Sequence, residues 1–117
     1  MIEVPYRYRA RLKRVVDGDT FDLAVDLGHH TGVTARYRLR GVDTPKAHTD
    51  EGKAATNFVE NWFHDLAQYE QEWPVVIDTH KDERGRWGRW IADVFCATTG
   101  DSLAELLLEA ELAVDYS

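Results

Sequence analysis

Hydrophobic and polar residues alternate with period two over three successive stretches at the start of the chain. Tyr6, Tyr8, Ala10 and Leu12 alternate with Arg7, Arg9, Arg11 and Lys13. This is the pattern of a half-buried strand, with the apolar set inward and the cations outward. Asp17-Gly18-Asp19 interrupts it with turn-forming residues. Phe21, Leu23, Val25 and Leu27 then alternate with Asp22, Ala24 and Asp26, a second strand joined to the first by a short hairpin. After the loop Gly28-His29-His30-Thr31-Gly32, Val33, Ala35, Tyr37 and Leu39 alternate with Thr34, Arg36, Arg38 and Arg40. Three strands with tight connections predict an antiparallel meander.

Asp43-Thr44-Pro45 ends that sheet, because proline has no amide hydrogen to give to a ladder. Polar residues 46–52 read as a loop. Ala55, Phe58, Val59, Trp62, Phe63 and Leu66 recur at helical spacing, which predicts a helix over about 51–69. Residues 73–79, Trp-Pro-Val-Val-Ile-Asp-Thr, read as a fourth strand, and residues 90–95 as a fifth after the glycine-broken loop 81–89. Ser102 and Glu105 form a capping box that opens a short helix reaching about Glu111. The order β-β-β-α-β-β-α predicts a mainly β, α+β fold. Its architecture is a five-stranded OB-fold barrel with one helix between strands three and four and a short C-terminal helix.

With 117 residues, 44% of them hydrophobic and 11% aromatic, the chain has the length and composition of one folded domain spanning 1–117. No apolar run approaches the roughly 20 residues of a membrane span, and the opening residues show no secretory signal, so a cytoplasmic protein is expected. A lone cysteine, Cys96, excludes an internal disulfide framework and a cysteine zinc site; it reads as buried structure. The net charge of −7 argues against non-specific nucleic-acid binding, but the charge is unevenly distributed. Residues 1–16, 34–40 and 81–89 hold 12 of the 14 basic residues against three acidic ones, a local +9 against −16 elsewhere. Ten of the cations are arginine, whose planar fork suits phosphate, although solvated strand faces use the same residue.

Two aspartates stand where strands end, Asp19 at the start of the second and Asp43 at the end of the third. Together they offer hard oxygen ligands for a divalent cation; singly, each also reads as ordinary turn chemistry. Arg38 and Arg89 lie in separate basic segments, each near a strand end. A metal facing two arginines is the arrangement that neutralises charge on a phosphodiester under attack by water. His29-His30 reads as a loop tip, and Trp62 and Phe63 as helix core.

Val15-Val16-Asp17-Gly18-Asp19-Thr20, Arg38-Leu39-Arg40-Gly41-Val42-Asp43-Thr44-Pro45 and Trp87-Gly88-Arg89 follow one another in an order and spacing that resembles the staphylococcal nuclease (thermonuclease) family. The resemblance covers about residues 6–116 and implies the same OB-fold barrel. It implies a calcium-dependent phosphodiesterase, an endonuclease acting on DNA and RNA that breaks the 5′ P–O bond and leaves a 3′-phosphate. Asp19 and Asp43 would bind calcium by carboxylate and Thr44 by its backbone carbonyl, while Arg38 and Arg89 would hold the scissile phosphate. Tyr116 and Trp87 are the expected aromatic substrate contacts, in keeping with sequence-tolerant base stacking. Nucleic acid is the expected partner, no membrane is, and the chain is taken as a monomer.

One position departs from the family pattern. Where the family carries a glutamate that positions or deprotonates the attacking water, this chain has Lys46. A like charge about 4 Å from calcium costs on the order of 4 kcal/mol at an effective dielectric of about 20. Two outcomes follow. Lys46 points to solvent while His48, Asp50 or Glu51 on the same loop supplies the base, or Lys46 pairs with Asp19 or Asp43 and leaves a non-catalytic module that binds nucleic acid or a protein.

Overall fold

A computed structural model describes residues 6–81 and 90–116. Its strands are β1 (Arg7–Asp17), β2 (Thr20–Gly28), β3 (Thr31–Leu39), β4 (Val42–Asp43), β5 (Val75–Lys81), β6 (Trp90–Cys96) and β7 (Val114–Asp115). Helix α1 spans Asp50–Asp65 and runs on into a 3₁₀ turn, Leu66–Tyr69; α2 spans Leu103–Glu109. Five strands close into a barrel in the order β1-β2-β3-β6-β5, and β4 with β7 makes a separate two-stranded ribbon.

The meander β1–β2–β3 is antiparallel, as the alternation predicts, with Leu12 opposite Leu23 and Phe21 opposite Tyr37. Closure comes from two further pairings, β1 with β5 antiparallel and β3 with β6 parallel. An eleven-residue strand can serve both β2 and β5 because its register shifts between Leu12 and Arg14, a bulge that bends it from one pairing toward the other. This mixed barrel with two helices is the OB-like architecture expected from the element order.

The core is Phe21, Leu23, Val25, Leu39, Val75, Ile77, Ala92 and Val94 from the strands, sealed by α1 and α2. Ala55, Val59 and Phe63 recur on one face of α1 and are buried, and Phe63 meets Phe21 edge-on at 5.5 Å between ring centroids. Leu103 and Leu107 do the same for α2, whose start is capped by Ser102 Oγ accepting from the Glu105 amide. Among the described residues no helix is long and apolar enough to cross a membrane.

Four local readings change. Trp73-Pro74 lies outside β5, which begins at Val75, because proline cannot donate to the ladder. Asp50 and Glu51 belong to the first turn of α1 rather than to the preceding loop, since Thr49 caps the helix by accepting from the Gly52 amide. Leu103–Glu109 is shorter than expected, ending before Glu111, whose φ is +58°. Tyr6, Leu27 and Val33 follow the inward period but are 63%, 45% and 45% exposed. Helix α1 covers the barrel end at the β1–β2 turn, whereas these three residues line the opposite end, where no described helix packs.

The outward face is less basic than its sequence. Arg9 lies opposite Asp26, Arg36 opposite Asp22 and Arg7 opposite Asp78, and each forms an ion pair, at 2.6, 2.9 and 2.7 Å. Arg40 likewise meets Asp93 at 3.4 Å. Solvent screens such exposed pairs, so each adds little stability, but together they neutralise much of the arginine on the barrel wall.

Candidate functional site

The site is built where the β1–β2 turn, the end of β3 and the start of α1 meet. Gly18 is buried between them. A methyl group there would stand 2.8 Å from the Ala55 side chain and 3.0 Å from Thr44 Oγ1, so only glycine lets the turn sit against the helix. That close approach carries Asp19 to the Thr44 backbone, and the Thr44 amide donates to Asp19 Oδ2 at 3.1 Å. Thr20 Oγ1 donates to the other carboxylate oxygen at 3.0 Å, and the Asp19 amide donates to Asp17 Oδ1, also at 3.0 Å.

Asp19 is the one buried charged side chain among the described residues, at 7% exposure. Burial by itself would favour its neutral form. The hydrogen bond from Asp17, the Thr44 amide, the Arg38 charge and the Thr20 hydroxyl outweigh burial and hold its carboxyl below the usual range. Its neighbour goes the other way. Burial, then the adjacent Asp19 carboxylate, push the Asp17 carboxyl up. The two behave as one acidic pair in which Asp17 keeps its proton longer. Asp17, to which the sequence assigns a place in the turn and its motif but no role at the site, is therefore part of it.

The sign of the Asp17 effect can be tested with chelator present. A carboxyl whose folded pKa is raised weakens the fold as pH climbs through that value, and has no such effect below the ordinary carboxylate range, where it is protonated folded and unfolded alike. Asp17→Asn keeps the acceptor for the Asp19 amide while removing the charge. Its melting temperature should exceed wild type by a few degrees at neutral pH, and the gain should vanish in acid. A gain independent of pH would mean that the charge is not the cause.

Arg38 projects from the end of β3 with its side chain only 13% exposed. One guanidinium nitrogen, Nη2, lies 3.0 Å from Asp43 Oδ1 and 3.6 Å from Asp19 Oδ2. The Arg38 guanidinium carbon also lies over the Tyr116 ring, 4.8 Å from its centroid. Tyr116 reaches this position because β7 pairs with β4, Val114 opposite Asp43 and Asp115 opposite Val42, and the Tyr116 amide donates to the Gly41 carbonyl at 3.0 Å. Asp19, Asp43, Arg38, the Thr44 backbone and Tyr116 thus lie together at this end of the barrel.

Lys46 does not join them. Its side chain is exposed, and among the described ion pairs the cation on Asp19 and Asp43 is Arg38, so the alternative in which Lys46 pairs with either aspartate is corrected. The Lys46 carbonyl is fixed instead, accepting from the Thr49 amide at 3.0 Å and from Thr49 Oγ1 at 2.7 Å. His48 is exposed in the turn before α1, and Asp50 and Glu51 are exposed on its first turn. Arg89 and Trp87 lie outside the described residues.

Asp19 and Asp43 present two hard carboxylates to one point, where among the described residues the Arg38 guanidinium is the cation that meets both. This donor set suits a hard divalent cation. Among the described residues no group of three or more His, Cys, Asp or Glu side chains is arranged as a complete metal cage, so water or substrate oxygens would fill the remaining positions. The arrangement can bind an anion through Arg38 and a cation through the aspartates, side by side. No protein-family model and no curated protein matches this chain.

Proposed function

We propose that the chain is a calcium-dependent phosphodiesterase of the staphylococcal nuclease type, acting on DNA or RNA. The observation that carries this reading is the convergence of Asp19 and Asp43 on Arg38 Nη2, at 3.6 and 3.0 Å, within an OB-like barrel. Asp19 and Asp43, with the Thr44 carbonyl, would hold calcium, which when bound supplies positive charge against the phosphate and its attacking water. Arg38 would offer its guanidinium to a non-bridging phosphate oxygen, a charge-assisted bond of the kind it now makes to Asp43. Tyr116 backs the guanidinium and limits where it can point. Arg89, one residue before β6, would supply the second guanidinium.

A second reading is favoured by Lys46, which stands exposed where the family has its glutamate. With phosphate-binding groups but no base beside them, the domain would bind nucleic acid without cleaving it.

Purified protein incubated with single-stranded DNA and calcium, with a chelator control, separates the two. Calcium-dependent cleavage supports the enzyme, and phosphate-dependent binding without cleavage supports the module. In either case calcium should raise the melting temperature by binding linkage, and Asp19→Ala should abolish that rise. Arg38→Ala should weaken a nucleoside bisphosphate by roughly 10- to 100-fold, the effect of losing one charge-assisted hydrogen bond. Unchanged affinity in Arg38→Ala would reduce this residue to strand-face charge.

A further inference from the structure

At the barrel end opposite α1, away from Arg38 and the two aspartates, a cleft of about 540 Å³ opens between the inner faces of β1, β2, β3, β5 and β6. Its walls carry four aromatic rings, Tyr6, Tyr8, Tyr37 and Trp90, with Leu27 and Val33 between them. Its volume lies within the range of small-molecule sites.

Three observations specify what would fill it. First, these four rings do not stack on one another; the ring pairs in contact among the described residues are Phe21–Phe63 and Trp62–Phe63, in the core. Four separated π faces leave room for a flat group between them. Second, no lining residue carries a formal charge at neutral pH. A charged ligand would lose water there without a counter-charge, which excludes phosphate and disfavours ammonium. Third, the cleft is not purely apolar. Among the described residues, no protein hydrogen bond engages the phenol hydroxyls of Tyr6, Tyr8 and Tyr37, and no buried side-chain polar atom lacks a partner, so these hydroxyls are open to solvent in the cleft. An aliphatic occupant would leave those hydroxyls unmatched, whereas a planar ring with polar edges matches both walls and hydroxyls.

We propose that this cleft is a binding site for a neutral heteroaromatic ring of the nucleobase class, with Trp90 and Tyr6 stacking on its faces and Tyr37 hydrogen-bonding its edge. The site is separate from the Arg38 cluster and does not depend on the nuclease reading, because Tyr37 points into the barrel while Arg38, the next residue on β3, points out.

The test titrates full-length protein with adenosine and with uridine, following tryptophan emission, without metal and without phosphate. Both nucleosides should quench emission, and ribose should not. Trp90→Ala should weaken binding by about tenfold or more, as expected for loss of one stacking partner. Tyr37→Phe should weaken it by about two- to tenfold through loss of one hydrogen bond. Trp90 is 43% exposed, so Trp90→Ala should keep its fold, with circular dichroism as the check. Arg38→Ala should bind adenosine as wild type does, which separates this site from the phosphate site whatever happens there. Absence of quenching, quenching that survives Trp90→Ala, or preference for choline over adenosine would each overturn the proposal.

Discussion

Lys46→Glu should raise calcium-dependent cleavage of single-stranded DNA by about 10²- to 10⁴-fold, the usual contribution of a positioned general base. The substitution acts at a favourable place. Lys46 follows the Asp43-Thr44-Pro45 segment directly, its backbone is pinned by Thr49, and its side chain is exposed, so the change costs the fold little. It removes a cation three residues beyond Asp43 and puts a carboxylate at the position where the family pattern carries its glutamate. Lys46→Ala divides the effect into its parts. Calcium binding that improves without cleavage would show that repulsion was one defect and the missing base another. If His48, Asp50 or Glu51 already serves as the base, wild type should cleave, Lys46→Glu should change little, and alanine at the serving residue should abolish activity. Should wild type, Lys46→Glu and the three alanine variants all be folded and inert, the domain is a binding module.

Gly52→Ala should destabilise the protein by about 3 kcal/mol, reversing what helix propensity predicts. Inside a helix, glycine to alanine ordinarily gains about 1 kcal/mol. Here α1 begins under the 46–49 turn so tightly that an added methyl carbon would stand 2.5 Å from the Lys46 carbonyl carbon and 3.0 Å from Ala47 Cα, with the Lys46 carbonyl oxygen closer still. These are backbone atoms, which cannot rotate aside. The same carbonyl oxygen accepts both Thr49 bonds that hold the helix cap, so relief of the clash would break the cap. Urea unfolding gives the answer directly, and a stabilised Gly52→Ala would show that the turn yields easily. The displaced turn should also pull Thr44 from Asp19, so calcium and phosphate affinity should fall with stability.

Ten arginines on an acidic chain suggest a phosphate-binding surface, yet Arg7, Arg9, Arg36 and Arg40 each face an aspartate on a neighbouring strand. Arg38 differs because it is largely buried, shared between two carboxylates and backed by an aromatic ring. Its setting, rather than its charge, singles it out.

The sequence by itself determined the elements that depend on near neighbours. Period-two alternation placed β1, β2 and β3, period 3.6 placed α1, and Ser102 with Glu105 placed the start of α2, because these signals come from residues a few positions apart. It also marked Asp19, Asp43 and Arg38, since residue types at strand ends can be read along the chain. Only the tertiary structure decided which partners those residues meet. Arg7 finds Asp78 across 71 residues, Arg38 rather than Lys46 occupies the aspartates, and a two-residue ribbon between β4 and β7 brings Tyr116 onto Arg38. Such a ribbon is too short to leave a pattern in the sequence. The exposure of Tyr6, Leu27 and Val33 was hidden for a related reason. Alternation tells which face of a strand points inward, but whether anything covers that end of the barrel depends on how distant elements pack.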